Sequence, residues 1–187
     1  MAKYYPKIIF VLLLAFVLTS QITKPAVELK LPVINQTDLG FPVRLKIPKL
    51  NVDTSIEQVG ITSDGAMDVP KQPDNVAWFN LGPRPGESGS SVVDGHSGWK
   101  NNRPAVFDNL SKLQKGDKIY VENDNGKTTT FLVHDIQSYN PKADASLVFN
   151  LNDGKAHLNL ITCSGLWNEL SQSHNERLVV FTDKVLP

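Results

Sequence analysis

From Val43 onward, apolar and polar residues alternate in short runs separated by turn residues. Val43 to Ile47 places apolar side chains at every second position, as a half-buried strand does. Val52 to Val59 follows the same rule more weakly, and Ser63-Asp64-Gly65-Ala66 then reads as a turn. Gly82-Pro83-Arg84-Pro85-Gly86-Glu87-Ser88-Gly89 reads as a loop, and Ser90 to Val93 as a short strand ending in two valines. Lys118 to Glu122 and Thr128 to Ile136 predict two strands joined through Asn123-Asp124-Asn125-Gly126, where Asn-Gly is a strong hairpin signal. His157 to Thr162 alternates again, and Leu178 to Thr182 predicts the last strand. Between them Val106, Phe107, Leu110 and Leu113 fall at helical spacing and predict a brief helix over Pro104 to Leu113. Many short strands with frequent turns predict an all-β barrel or sandwich.

The N-terminus follows a different pattern. An unbroken apolar run from Ile8 to Leu18 is preceded by Lys3 and Lys7. The run is shorter than the roughly 20 residues of a spanning helix. Extended from Tyr4 to Ile22, with Lys7 snorkelling, it can span. No small-x-small cleavage site follows, so an uncleaved anchor over residues 1–22 is favoured over a cleaved signal peptide. The lysines put the N-terminus inside and the rest outside the cell, a single-pass membrane protein with an extracytoplasmic domain. Residues 23–42 contain Pro25, Pro32 and Pro42 without helical or strand period and read as an extended linker. The domain then occupies residues 43–187.

Composition narrows the function classes. Lys plus Arg equals Asp plus Glu at 19 each, which leaves no electrostatic footprint for nucleic acid. The single cysteine excludes an internal disulfide and a thiolate metal cluster within one chain. Cys163 is therefore either a small buried hydrophobe or a working thiol. It follows the strand His157–Thr162 and precedes Ser164-Gly165, which puts it at a strand end beside a turn. Leu158, Leu160 and Thr162 share one face of that strand; Cys163 shares the partly polar face with His157, Asn159 and Ile161.

A nucleophilic thiol needs a proton-transfer partner and a group that steadies the oxyanion. His96, in Asp94-Gly95-His96-Ser97-Gly98, follows a strand among glycines that permit close approach of a substrate. His134 falls in register with Leu132 and Ile136 and reads as a packed or edge residue; His157 opens a strand and is expected in solvent; His174 lies in a polar loop. Arg177 is the only arginine after Cys163 and enters the apolar run Leu178–Phe181, where its fork could bond a carbonyl or an oxyanion. Asp94 could orient the His96 ring, as a triad acid does.

Taken in order, Gly95-His96, Leu160-Ile161-Thr162-Cys163 and Arg177-Leu178-Val179-Val180 resemble the sortase family. Ile47-Pro48-Lys49-Leu50-Asn51-Val52 resembles the opening of the sortase barrel, and Phe107-Asp108-Asn109-Leu110 through Lys115-Gly116-Asp117-Lys118-Ile119 the segment after the histidine. The resemblance covers about residues 43 to 183. Gly82-Pro83-Arg84-Pro85-Gly86 and Ala77-Trp78-Phe79 look most like classes E and F.

The resemblance implies a closed eight-stranded barrel with one or two short helices, behind the N-terminal membrane helix. It implies that Cys163 attacks the threonine carbonyl of a Leu-Pro-x-Thr-Gly-like sorting signal to form a thioacyl-enzyme. An amine from a cell-wall precursor or a pilin lysine then resolves that intermediate. His96 would be the acid and base, Arg177 would hold the oxyanion or substrate carbonyls, and Thr162 would meet substrate through its backbone. The loop from about Tyr139 to Asn152 would form part of the signal groove. Some sortases bind calcium, but Asp135, Asp144 and Asp153 lack an alternating acidic pattern, so neither metal nor cofactor is expected.

Two rivals use the same residues. A cysteine hydrolase would pass the thioacyl group to water, and a surface β-barrel could keep the shape as a non-catalytic binding module. L,D-transpeptidases, with a histidine two residues before the cysteine, and papain-like peptidases, with the cysteine before the histidine and on a helix, fit the motif order less well.

Overall fold

The computed structural model describes residues 39–170 and 173–186; the expected membrane segment and most of the expected linker lie outside the described residues. Eight strands form the domain: β1 (Pro42–Ile47), β2 (Val52–Val59), β3 (Val76–Phe79), β4 (Gly89–Gly95), β5 (Lys118–Asn123), β6 (Thr128–Tyr139), β7 (Ala156–Asn168) and β8 (Ser173–Lys184). They close into a barrel in the order β1-β2-β3-β4-β7-β8-β6-β5. The β2–β3 and β4–β7 pairs are parallel, and the other neighbours antiparallel. One short α-helix, α1 (Ser146–Phe149), lies in the connection from β6 to β7. Among the described residues no helix is long and apolar enough to cross a membrane.

Alternation fills the barrel. Leu45 and Ile47 on β1, Ile119 and Val121 on β5, Phe131 and Val133 on β6, and Leu158 and Leu160 on β7 all point inward and are buried. Burying each such side chain contributes about 1.5–3 kcal/mol. Trp78 joins them, and its indole Nε1 donates to the Pro83 carbonyl at 3.1 Å, an acceptor that Ser91 Oγ shares at 2.7 Å. These two bonds tie the proline-glycine loop to the barrel wall.

Strands β4 and β8 are covered on both faces. Val92 of β4 and Val179 and Phe181 of β8 pack outside the barrel, against Val148 of α1. Their neighbours Val93, Leu178 and Val180 pack inside. Two-sided cover is the reason Val92-Val93 and Leu178–Phe181 are continuous apolar runs instead of alternating ones. Asn159 Nδ2 on β7 donates to the Val148 carbonyl at 2.6 Å and fastens α1 to this outer layer.

The structure corrects three expectations. Pro104–Leu113 is a series of turns with a 3-10 segment at Leu110–Lys112. Phe107, Leu110 and Leu113 are buried at intervals of three, which suits the three-residue repeat of 3-10 geometry. β7 runs on past Cys163 to Asn168 and β8 begins at Ser173, so Cys163 and Arg177 lie inside a long hairpin. His157 is buried, because its Nδ1 faces Asp183 Oδ1 at 2.8 Å and its Nε2 faces Asp153 Oδ1 at 2.9 Å.

Candidate active site

β4 ends by delivering His96 to the rim of the barrel. Gly95 is required there: a Cβ on it would sit 2.4 Å from the Phe107 ring, which packs directly over the backbone. Phe107 N–H in turn donates to the His96 carbonyl at 2.9 Å. Asp108 holds the loop beyond, accepting from Gly98 N–H at 2.6 Å and Ala105 N–H at 3.1 Å. His96 Nε2 lies 2.8 Å from the Pro70 carbonyl. A carbonyl only accepts, so Nε2 carries a proton and Nδ1 is the ring nitrogen outside this bond. Trp99 packs on the imidazole with ring centroids 4.6 Å apart. The ring is thus oriented by a carbonyl and an indole, where sequence reasoning had offered Asp94.

β7 delivers the thiol. Thr162 points inward, is almost fully buried, and donates from Oγ1 to the Gly95 carbonyl at 2.7 Å. Its side chain is therefore committed to the barrel, and only its backbone remains for a substrate. Cys163 faces outward with Ile161 onto the surface shared with β4. The β7–β8 register shifts between Ser164 and Trp167, just beyond the cysteine. Gly165 sits in this bulge at φ +76°, and a Cβ there would meet Asn175 Oδ1 at 2.2 Å.

Arg177 stands directly opposite Cys163 in the ladder. Its Nη1 donates to the carbonyls of Glu176 (2.9 Å) and His174 (3.2 Å), which orient the guanidinium. Cys163, His96 and Arg177 line one cavity of about 440 Å³. Ile161, Val179, Val148, Phe149 and Met67 make its surface largely apolar, and residues from Tyr139 to Ala145 supply one wall. The other three histidines lie elsewhere: His134 on the outside of β6, His157 between its two aspartates, and His174 against Trp167.

Burial pushes the Cys163 thiol up; Arg177 pulls it back and Asp94 adds to the rise. Asp94, also lining the cavity, is pushed up to about 7 by burial, against the opposing effects of Arg177 and the Gly95 N–H. A neutral thiol that shares a cavity with an imidazole, with a permanent cation opposite in the ladder, can generate a thiolate as a carbonyl arrives and stabilise the resulting oxyanion. Asp135, Asp144 and Asp153 do not converge: they are bonded to Gln137, Ser146 and His157 respectively.

Sequence reasoning missed Pro70, Trp99 and Met67 as parts of the site, whereas the Tyr139–Asn152 segment expected at the groove does line the cavity, through Tyr139, Val148 and Phe149 among others. Met67, Val69 and Pro70 come from the β2–β3 connection, whose turn chemistry was legible while its destination was not.

A search of curated proteins finds no match. Among solved structures, sortase C-1 from Actinomyces oris matches with 29% identity over 78% of this chain and 76% of that one, at a TM-score of 0.62. Sortase C1 from Streptococcus agalactiae matches with 25% identity over 78% and 67%, at 0.60. A lid mutant of sortase A from Corynebacterium diphtheriae matches with 24% identity over 78% and 70%, at 0.62. These are classes C and A, so the likeness to classes E and F rests on the sequence motifs alone. The family profile described as Sortase domain matches residues 45–185. With that match spanning nearly the whole barrel, and the barrel itself closed as in those structures, the chain belongs to the sortase family.

Proposed function

We propose that this protein is a membrane-tethered cysteine transpeptidase that cleaves a Leu-Pro-x-Thr-Gly-like signal and joins the threonine to an amine at the cell surface. The observation that carries the reading is the meeting of Cys163, His96 and Arg177 in one apolar-floored cavity. As the signal binds, the Cys163 proton passes to the His96 imidazole and Sγ attacks the threonine carbonyl carbon. The carbonyl π electrons move onto oxygen, and Arg177 stabilises that negative charge. The intermediate collapses, the threonine–glycine C–N bond breaks, and His96 returns its proton to the departing amine. His96 then takes a proton from the incoming amine as it attacks the thioester carbon, and the thiolate leaves. Thr162 meets the substrate through its backbone alone, its side chain being bonded to the Gly95 carbonyl. A cell-wall precursor amine or a pilin lysine is the acceptor, and the segment carrying Ile8–Leu18 is the tether.

The test is mass spectrometry of the full chain in detergent with a Leu-Pro-x-Thr-Gly peptide library and triglycine. Cys163→Ala and His96→Ala are run beside it. Joined peptide, lost in both variants, is the expected result. Cleavage without joining favours the hydrolase, and no reaction from folded protein favours the binding module.

A further inference from the structure

Asp94 is the charged group of the cavity that this chemistry leaves without a task. It precedes His96 by two residues on β4, and its ladder partner Ile161 precedes Cys163 by two residues on β7. Asp94 therefore lies one side-chain step, about 7 Å, back from the catalytic pair along the same face. That step leads toward the part walled by Val148, Phe149 and Val179. The opposite direction leads past Cys163 to the Gly165 bulge.

The two halves of a substrate have different needs. The acyl half stays bound while the leaving amine departs and the acceptor enters. The walled part suits the retained half, and the bulge side suits exchange. An extended acyl segment rising about 3.3 Å per residue thus passes over Asp94 within about two residues of the scissile bond.

A carboxyl in that position is a cost to an all-apolar ligand, because binding would strip its remaining water without replacing it. The other aspartate lining the cavity, Asp144, is occupied: its Oδ1 accepts from Ser146 N–H at 2.9 Å. The Arg177 Nη1 bonds go to carbonyls, and among the described residues no ion pair joins it to Asp94. We infer that Asp94 selects sorting signals that carry a lysine or arginine side chain among the residues just before the scissile threonine. The inference rests on the cavity being the sorting-signal site proposed above.

The electrostatics fit this role. Burial pushes the carboxyl up to about 7, in a cavity whose other titratable or charged lining groups are His96, Cys163, Arg177, Tyr139 and Asp144. An arriving ammonium or guanidinium replaces the proton and restores the charge that burial suppressed. The preference for a cationic signal therefore grows as pH rises through neutrality.

The experiment uses the full chain and Leu-Pro-x-Thr-Gly peptides in which each of the three residues before threonine is in turn lysine, glutamate or norleucine. The readout is the kcat/KM ratio of lysine to glutamate peptide within each variant, which does not depend on the folded fraction. At one position the wild-type ratio is expected to exceed about 30, to rise from about pH 6 to about pH 8, and to fall below about 3 in Asp94→Asn. Asp94→Lys is expected to invert it. A wild-type ratio near one at all three positions, or one unchanged in Asp94→Asn, overturns the inference alone. Absence of Cys163-dependent cleavage of every peptide overturns both the inference and the transpeptidase reading.

Discussion

Thr162 Oγ1 donates a 2.7 Å hydrogen bond to the Gly95 carbonyl, tying the residue before the cysteine to the residue before the histidine. β4 and β7 are parallel neighbours whose paired register runs from Gly89 to Asp94, so this bond extends the connection to the point where the two reactive side chains emerge. Thr162→Val keeps the shape and removes the donor. It is expected to destabilise the protein by about 1–2 kcal/mol, because a buried acceptor loses its partner. Denaturant unfolding measures this, and Thr162→Ser should recover most of the loss. The same variant should lower kcat by a few-fold through looser placement of Cys163 relative to His96.

Gly95→Ala probes the other side of that junction. The new methyl would fall 2.4 Å from the Phe107 ring, so either the ring or the β4 terminus must move. Overpacking of this kind costs about 1–3 kcal/mol. The expected signature is a fall in kcat/KM of at least about tenfold, as His96 leaves its bond to Pro70. Adding Phe107→Leu should recover part of the activity while leaving stability low, which a purely global defect would not do.

Asp94 raises the Cys163 thiol, and its own carboxyl sits at about 7. Asp94→Asn should therefore lower the midpoint of the pH profile for iodoacetamide alkylation of Cys163. An unmoved or raised midpoint would contradict the coupling. The stability linkage has a definite sign. The folded carboxyl holds its proton up to about 7, whereas the unfolded one releases it near the usual carboxylate value of about 4. Its contribution is thus fully present at low pH and is lost as pH rises through about 7. Asp94→Asn should flatten that fall and raise Tm at pH values above neutrality.

Replacing Arg177 separates charge from hydrogen-bond geometry. Arg177→Lys keeps the cation opposite Cys163 and loses the fork that reaches the Glu176 and His174 carbonyls. Loss of an oxyanion donor costs about 10²–10³ in kcat, so Arg177→Ala is expected in that range and Arg177→Lys between it and wild type. Single-turnover acylation, followed as the thioacyl mass on Cys163, locates the loss in the chemical step.

His157 pins the end of the β6–β7 connection, which also carries α1 and one wall of the cavity. Both ring nitrogens face aspartate oxygens, so His157→Ala removes one partner from Asp153 and one from Asp183 together. Asp153 is held below its ordinary value chiefly by the bond to His157, and its contribution disappears as pH falls through that lowered value. The variant is expected to raise KM several-fold with a smaller effect on kcat, since it loosens a wall and leaves the reacting groups in place. An unchanged KM would show that Asn159 and the outer apolar layer hold α1 without it.

The fold class was legible because strand alternation is local. Leu45–Ile47 and Lys118–Glu122 each carry their burial pattern in a few residues, and Asn125-Gly126 marks the hairpin between β5 and β6; Val43 departs from it, exposed beside the β1 register shift, and His157–Leu160 is buried on both faces. β3 was harder: Val76 and Ala77 are adjacent and both fully buried, so they show no alternation. Helical spacing misled at Pro104–Leu113 because three-residue intervals fit 3-10 turns as well as an α-helix. His157 was misread as solvated because Asp183 is 26 residues away in sequence and next to it in the barrel.

By itself the sequence determined an all-β domain with one thiol, a histidine after an earlier strand, an arginine at the last one, and the family motifs around them. Side-chain period, turn residues and single-cysteine arithmetic are local properties. Only the tertiary structure decided that Arg177 opposes Cys163, that Pro70 and Trp99 orient His96, and that the β2–β3 connection reaches the cavity. Those relationships depend on barrel closure and on the parallel β4–β7 pairing, which join segments far apart in the chain through contacts that no local pattern encodes.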